Sequence, residues 1–275
     1  MVAFFTEANG RYTAAPMAVS AWSDAQLAGT AVCGLLAHQL ETHSPGPGFL
    51  PARFTVDMFR PVLNEPIELV SAIVRDGNRI RVADASIIQR GEVRARASVH
   101  YLAVADEPPG EVWQPTLDYL PVPDQRLDGP HGSPPLFKSG IHDWTHDFAS
   151  GVNPHRKSAW NNVPCLIEGR PITPFERAAF VGDTANLVCN WGTQGVGYIN
   201  SDVTLTLTRL PEAPEVGLVA QNHIAANGIA VATAVLYDRS GPLGTTTITA
   251  LANAMRLIDM AEFAAARAIP GSNGR

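Results

Sequence analysis

The chain contains one strand-forming pattern twice, and this internal repeat limits its fold more than any other feature. In residues 54–58 and again in residues 203–207, apolar side chains occupy every second position, which is the period of a strand with one buried face. Each segment is followed by an arginine, Arg60 or Arg209, and then within two residues by proline, which ends strands. The two arginines lie 149 residues apart. The sequence therefore predicts two copies of one unit.

Each copy continues with the pattern of an antiparallel meander. An apolar run at residues 67–74 leads to Asp76-Gly77, and the second copy reaches Asn227-Gly228 after its own apolar run. Both dipeptides favour the two-residue type I′ turn of a hairpin, because they tolerate positive φ angles at both central positions. Two more strand patterns follow each turn. The predicted strands are residues 80–89 and 93–104 in the first copy and residues 229–237 and 245–252 in the second.

One helix is predicted before each meander. In the first copy, apolar residues recur at helical spacing across residues 27–40, and Ser23 is the predicted N-cap. In the second copy, Thr173 is the predicted N-cap, with Pro174 at the first helical position and Glu176 at the position of a capping box. The two copies are therefore expected to share the order of one helix followed by four strands.

A helix followed by an antiparallel meander can bury both apolar faces if the sheet curls around the helix. Two such units can join their sheets edge to edge and leave fewer strand edges exposed. The predicted fold class is α+β, and the predicted architecture is a double hotdog, in which each of two tandem hotdog repeats is a long helix wrapped by an antiparallel sheet. The predicted divisions are an N-terminal repeat at 1–105, a proline-rich linker at 106–150, a C-terminal repeat at 151–255, and a C-terminal helix and tail at 256–275.

The composition limits the partners that this chain can have. Its formal net charge of -6 provides no attraction for nucleic acid, so no nucleic-acid partner is predicted. No run approaches the roughly 18 apolar residues of a membrane-spanning helix, and the N-terminal segment lacks the basic start of a signal peptide, so no membrane partner is predicted. The cysteines Cys33, Cys165 and Cys189 are odd in number and form no CxxC pair, which favours free thiols in the cytoplasm.

A histidine pair in the proline-rich segment suggests a metal site, but the sequence supplies only two of the ligands. His142 and His146 are four residues apart, so they would share one face of a helix, and an aspartate follows each of them. No third ligand is placed by the spacing, and a surface helix that packs Trp144 inward explains the segment without a metal. The glycine motif of dinucleotide-binding domains and the G-x-S-x-G motif of serine hydrolases are absent. No metal and no cofactor are predicted.

Residues 54–102 resemble the N-terminal half of the bacterial acyl-CoA thioesterase II family, whose members are double hotdogs. The motifs that carry the resemblance are Phe59-Arg60-Pro61, Pro66, Arg75-Asp76-Gly77-Asn78 and Ile88-Gln89-x-Gly91. The second half resembles the family more loosely, through Asp183 late in a helix and Asp202 before a strand that ends at Arg209. The resemblance implies a bacterial, cytoplasmic hydrolase of fatty acid metabolism that acts on acyl-CoA.

The resemblance also implies which residues do the chemistry. In that family the second repeat supplies an aspartate, a threonine or serine, and a glutamine, which together orient and activate the water that attacks the thioester carbonyl. The aspartate falls on Asp183, the hydroxyl position on Asn200, and the glutamine position on or within one residue of Thr249. Asn200 still donates and accepts hydrogen bonds and could hold a water. Thr249 is shorter than glutamine and would leave room for a second water.

The three candidate residues can also be interpreted without the family. Asp183 lies among apolar helical residues, and a buried carboxylate has a raised pKa and can serve as a general base. The alternative is that Asp183 faces solvent or satisfies backbone groups at the helix end. Asn200 and Asp202 are equally typical of an ordinary turn, and Thr249 belongs to a threonine-rich strand.

The predicted function is an acyl-CoA thioesterase in which Asp183 activates water, assisted by Asn200 and Thr249. The acyl chain would lie between the helices and sheets of the two repeats, and acyl-CoA is the predicted partner. The alternative is a catalytically degenerate acyl-CoA-binding protein, because two of the three family positions differ. A double-hotdog hydratase ranks last, since no Asp/His pair has the spacing of such enzymes. A homo-oligomer, a dimer or larger, is compatible with this architecture.

Overall fold

The computed structural model describes residues 2–114, 116, 120–129 and 131–258. The first half contains, in chain order, β1 (Ala3–Ala8), β2 (Arg11–Ala14), α1 (Gly29–Glu41), β3 (Phe49–Met58), β4 (Ile67–Asp76), β5 (Ile80–Gln89) and β6 (Glu92–Ala103). The second half contains β7 (Ser133–Ser139), β8 (Lys157–Asn162), β9 (Cys165–Ile167), α2 (Pro174–Asp183), α3 (Ala185–Asn190), β10 (Trp191–Gly192), β11 (Gly195–Val196), β12 (Tyr198–Asn200), β13 (Asp202–Leu207), β14 (Glu215–Ala226), β15 (Ile229–Asp238) and β16 (Gly241–Ala252).

The same strand order occurs in both halves. After α1, the four strands pair in the order β3-β6-β5-β4, and after α2 and α3 the last four strands pair in the order β13-β16-β15-β14. Every neighbouring pair within these two sets is antiparallel. The predicted order of helix and then meander is confirmed in each half.

The two meanders join through β3 and β13, which pair in antiparallel register from Asp202 opposite Asp57 to Thr206 opposite Arg53. The apolar alternation explains this register, because Phe54 and Leu205 are paired and both are fully buried on the same face. Phe54 also contacts Phe175 of α2 edge to face, with the ring centroids 5.5 Å apart. The core therefore runs continuously across the two halves.

α1 and α2 pack against each other in opposite directions. The start of α1 meets the end of α2, where a side chain on Gly29 would touch Asp183. Near the other end, His38 of α1 bonds to Glu176 of α2. At each end of this helix pair, polar residues from distant parts of the sequence therefore lie close together. One of these ends forms the candidate site.

The predicted N-cap of the first helix is wrong. α1 begins at Gly29 after Ala28, which makes no side-chain cap, and the Ser23 hydroxyl instead accepts a hydrogen bond from the Ala25 amide at 3.3 Å. Backbone bonds explain the later start, because the amide of Leu27 donates to a carbonyl outside the helix. This segment is held by the neighbouring loop and cannot begin the helix.

The predicted cap of the second helix is confirmed. The Thr173 hydroxyl accepts from the Glu176 amide, and the Glu176 carboxylate accepts from the Thr173 amide, which completes the capping box. The helix ends sooner than its apolar stripe suggests. α2 stops at Asp183, and α3 begins two residues later.

The two predicted hairpin turns differ. Asn227 and Gly228 both have positive φ angles, 54° and 74°, as a type I′ turn requires. Asp76 remains the last residue of β4, opposite Arg81, and three residues connect the strands instead of two. Two hydrogen bonds from the Arg81 guanidinium to the Asp76 carboxylate, at 2.9 and 2.7 Å, hold Asp76 in the strand.

The described part of the predicted linker is ordered against the second half. β7 pairs with β8, and Trp144 packs inward as expected. The short helix or turn predicted near residues 139–149 is a turn, followed by a short 3-10 helix (Phe148–Gly151). His146 bonds to a backbone carbonyl at 2.9 Å. Among the described residues, no group of three potential metal ligands comes together, and no helix is long and apolar enough to cross a membrane. Apart from residues 256–258, the predicted C-terminal helix and tail at 256–275 lie outside the described residues.

Candidate active site

The carboxylate of Asp183 lies against the first residue of α1. Asp183 ends α2 and is only 6% exposed, and a Cβ atom added to Gly29 would lie 2.5 Å from its Oδ2 atom. Only a residue without a side chain allows this approach. The glycine at the start of α1 therefore creates the space that the carboxylate occupies.

Backbone amides at the start of α1, the helix whose first residue meets this carboxylate, lack helical acceptors. The first intrahelical bond of α1 runs from the Val32 amide to the Ala28 carbonyl. The amides of Gly29, Thr30 and Ala31 therefore precede the hydrogen-bonded turns, and the described part of the chain provides no acceptor for them. Such amides carry the positive end of the helix dipole and can stabilise a developing oxyanion. Gly29 and Thr30 are partly exposed, so a substrate can reach them.

Asn200 meets Asp183 from the sheet. The Asn200 Nδ2 atom donates to Asp183 Oδ1 at 2.9 Å. Burial raises the pKa of Asp183 to about 6, and the bond from Asn200 lowers it in part. Asn200 reaches the helix because it pairs with Ala250 of β16, whose side chain is buried on the helix-facing side. The structure thus brings together two of the three predicted residues.

Thr249 does not join this pair. Its neighbours Thr246, Ile248 and Ala250 are buried on the helix side of β16, and the Thr246 hydroxyl donates to the Gly182 carbonyl of α2 at 3.1 Å. Alternation along the strand places the Thr249 side chain on the opposite face. The Thr249 amide donates to the carboxylate of Asp202 at 3.1 Å, so its backbone supports the turn that carries Asn200.

Two asparagines beside the pair were missed by sequence reasoning. Asn190 of α3 donates to Asn186 Oδ1 at 2.8 Å, and Asn186 donates to the Tyr198 carbonyl at 3.2 Å. The Oδ1 atom of Asn190 is buried and has no partner among the described residues. The spacing of Asp183, Asn186 and Asn190 is that of one helical face, which is the signal that could have found them.

The other end of the helix pair carries a second titratable cluster. His38 Nδ1 lies 2.6 Å from Glu176 Oε1, and the Thr173 hydroxyl donates to Glu41 Oε2 at 2.8 Å. Burial raises the pKa of Glu41 to about 7, and the bond from Thr173 lowers it in part. Sequence reasoning identified Thr173 and Glu176 only as caps, because the partners on α1 are more than 100 residues away.

Replacing Glu41 with glutamine is expected to stabilise the protein at pH 8 by on the order of 2 kcal/mol and to have no such effect near pH 4. Because the folded-state pKa is raised, the contribution of Glu41 to stability is full below its unfolded pKa and is lost as pH rises through 7. Urea unfolding at both pH values measures this. The same change at the exposed residue Glu68 is the control, and an equal gain at both pH values would contradict the expectation.

A cavity of about 440 Å³ borders α3. Its wall includes Cys189 and Trp191, and the basic side chains of Arg156 and Lys157 also line it, without any acidic residue. Asp183 is not among its lining residues. The cavity and the Asp183–Asn200 pair are linked through α3, which begins two residues after Asp183.

Comparisons with known proteins identify the family and the fold of this chain. Residues 18–102 match the model of the acyl-CoA thioesterase N-terminal domain, and residues 102–252 match the model of the acyl-CoA thioesterase C-terminal domain. No curated protein sequence matches the chain. Among solved structures, a TesB protein of Mycobacterium avium subspecies paratuberculosis has 13% sequence identity and a TM-score of 0.65, with 90% of this chain and 95% of that chain covered.

Two further structures have the same fold. A putative thioesterase II from Thermobifida fusca shares 13% identity over 91% of this chain and 96% of that chain, with a TM-score of 0.64. A conserved protein of unknown function with a hotdog fold, from Alicyclobacillus acidocaldarius, shares 16% identity over 91% and 96%, with a TM-score of 0.61. At these identities the likeness shows an α+β hotdog fold, and the two domain models show the family. The chain belongs to the acyl-CoA thioesterase family.

Proposed function

We propose that this protein hydrolyses the thioester of fatty acyl-CoA, with Asp183 activating the attacking water. The observation that carries the proposal is the position of the Asp183 carboxylate, which is buried, accepts a hydrogen bond from Asn200 and lies against Gly29, the first residue of α1. In this proposal Asp183 is the base, Asn200 is the polar group that holds water, and the amides of Gly29 and Thr30 are the oxyanion donors. Water-mediated hydrolysis of a thioester needs these three parts.

The proposed reaction proceeds in two steps. Ionised Asp183 takes a proton from a water that the Asn200 side chain orients, and the water oxygen bonds to the thioester carbon. The carbonyl oxygen becomes an oxyanion that the amides of Gly29 and Thr30 stabilise. The carbon–sulfur bond then breaks, the proton passes from Asp183 to the leaving thiolate, and the products are a fatty acid and coenzyme A.

The same proposal includes a tandem double hotdog. Its support is the identical strand order of the two meanders and their join through β3 and β13. We divide the chain into repeats at 1–105 and 151–255, with 106–150 as the linker and 256–275 as the tail. Within this arrangement the site lies between the repeats, because Gly29 comes from the first and Asp183 from the second. Thr249 acts as a positioning residue through its bond to Asp202.

A second candidate function is acyl-CoA binding without hydrolysis. The observation that favours it is the replacement of two family positions by Asn200 and Thr249, of which Thr249 points away from Asp183. Release of free thiol from acyl-CoAs of increasing chain length separates the two functions. Turnover of any chain length supports the hydrolase. An inert protein whose melting temperature rises with acyl-CoA would establish the binding protein.

Replacing Gly29 with alanine is expected to lower the rate of acyl-CoA hydrolysis at least about tenfold while leaving the protein folded. The added methyl would overlap Asp183 Oδ2, so the carboxylate must move from the amides of α1. Gly48→Ala is the matched control, because a Cβ atom there meets nothing within 4 Å. Unchanged kcat/KM in the Gly29 variant would show that the Asp183 carboxylate takes no part in the reaction.

A further inference from the structure

A second cavity, of about 360 Å³, lies at the N-terminal turn of α2. We call it the Arg177 cavity, and it lies between α2, the loop after β8 and the loop before β14. Six of its lining residues are Arg126, Val163, Ile172, Arg177, Pro214 and Glu215. Neither Asp183 nor Asn200 lines it. It is therefore separate from the proposed catalytic pair.

Arg177 is a half-buried cation that has no carboxylate partner in the part of the chain that the structure describes. Its Nε atom is buried and has no hydrogen-bond partner among the described residues. Its Nη1 atom donates to the Ala213 carbonyl at 3.3 Å. Burial lowers the pKa of Arg177, and the charge of Glu176 partly opposes this. The hydrogen bonds that the structure gives for the Glu176 carboxylate come from His38 and Thr173 and not from this guanidinium.

The carboxylate that lines the cavity is already engaged. Glu215 accepts two hydrogen bonds from Arg239, at 2.7 and 3.0 Å, and one from Arg126 at 3.2 Å. The other acidic lining residue, Asp128, is exposed. Arg177 also lies in the first turns of α2, where the helix dipole disfavours a cation. Its position there is therefore unfavourable unless an anion is present.

The rest of the wall indicates what kind of anion fits. Val163, Ile172 and Pro214 provide apolar surface, and the volume falls in the range of small-molecule pockets. A guanidinium pairs best with a carboxylate or phosphate, and an apolar wall favours a ligand with a hydrocarbon body. We propose that the Arg177 cavity binds a small carboxylate with an apolar chain, such as a medium-chain fatty acid, with the carboxylate on Arg177.

Calorimetric titration of the full-length protein with octanoate tests the proposal. Octanoate is expected to bind, and Arg177→Met is expected to weaken the binding at least about tenfold, because the charge is lost and the apolar wall is kept. Arg90→Gln is the control outside the cavity, where the side chain is 65% exposed, and should change the affinity less than about threefold. Octanol should bind the wild type at least about tenfold more weakly than octanoate.

A second variant keeps the test decisive if Arg177→Met does not fold. Ile172→Glu places a carboxylate in the same cavity, where it should pair with Arg177 and abolish octanoate binding. The variant Asp183→Asn tests whether octanoate binds at the proposed catalytic pair instead. It should leave the octanoate affinity of the Arg177 cavity unchanged. Equal affinity of wild type and Arg177→Met, or equal affinity for octanoate and octanol, would overturn the proposal.

Discussion

Replacing Asp183 with asparagine is expected to lower the rate of acyl-CoA hydrolysis about 100-fold or more, because the site loses its only proposed base. Asparagine has nearly the same shape and can still accept the 2.9 Å hydrogen bond from Asn200, so the site should keep its geometry. The measurement is kcat and kcat/KM from thiol release, with circular dichroism to confirm the fold. The loss should appear mainly in kcat, since Asp183 acts on the water and not on substrate affinity.

The matched control for this substitution is Asp202→Asn. Asp202 lies two residues from Asn200, and its carboxylate accepts from the Thr249 amide and the Ser201 hydroxyl, roles that an amide oxygen can fill. Its activity should stay within about threefold of the wild type. Retained activity in Asp183→Asn, or an equal loss in Asp202→Asn, would contradict the assignment of the base.

The raised pKa of Asp183 also predicts how activity and stability depend on pH. Because burial raises the pKa to about 6, wild-type kcat/KM should fall as pH drops below 6 and the base is protonated. The contribution of Asp183 to the free energy of unfolding depends on pH in the opposite direction to kcat/KM. The contribution of Asp183 is full below its unfolded pKa and is lost as pH rises through 6, so Asp183→Asn should be more stable at pH 8 by on the order of 2 to 3 kcal/mol.

Replacing Glu215 with alanine is expected to destabilise the protein by about 3 to 5 kcal/mol. Glu215 is 5% exposed, and its carboxylate accepts hydrogen bonds from the Leu127 amide at 2.8 Å and from the Trp160 indole at 3.0 Å, besides those from Arg239 and Arg126. Removing it leaves the buried Trp160 indole N–H without its acceptor and the Arg239 guanidinium without its carboxylate. Urea unfolding measures the loss.

The same change should release the linker. Arg239 donates to the carbonyls of Pro123 and Gln125, and Tyr237 donates to that of Pro121, so Glu215 holds the guanidinium that anchors this segment. Limited proteolysis should therefore cut the linker faster in Glu215→Ala. The control is Glu68→Ala, whose side chain is exposed, and this change should cost no more than about 1 kcal/mol.

The destabilisation should also depend on pH. Burial alone would raise the pKa of Glu215, but the hydrogen bonds from Arg239, Leu127 and Trp160 lower it to about 2. A depressed folded-state pKa contributes stability that is full above the unfolded value and is lost as pH falls through the folded one. The difference between wild type and variant should therefore shrink between about pH 4.5 and 2. A constant difference would show that Glu215 acts through packing alone.

Most of the fold could be predicted because its signals are local. The alternation around Phe54 and Leu205, the capping box at Thr173 and the turn at Asn227-Gly228 depend on neighbours within a few residues, and each is confirmed. The predictions at Ser23 and Asp76 were wrong for the opposite reason. Backbone bonds to a neighbouring loop and the side chain of a paired strand outweighed the local preference.

The candidate site was predicted less completely. Asp183 and Asn200 were identified as residues, but their mutual hydrogen bond and their approach to Gly29 join elements that are far apart in the chain. The orientation of Thr249 depends on the register of β16, and a shift of one residue reverses the face of a strand. Sequence reasoning could therefore place the threonine on the strand but could not choose its side.

The sequence by itself determined the repeated unit, its helix and strand order and the burial of its alternating faces, because periodicity and capping act over short distances. The tertiary structure alone decided that Gly29 admits a carboxylate from the other half and that Arg177 has no carboxylate partner among the described residues. It also decided that Glu215 binds the linker. These features depend on the antiparallel packing of α1 against α2 and on the path of the linker. Both arise from long-range packing that no local pattern encodes.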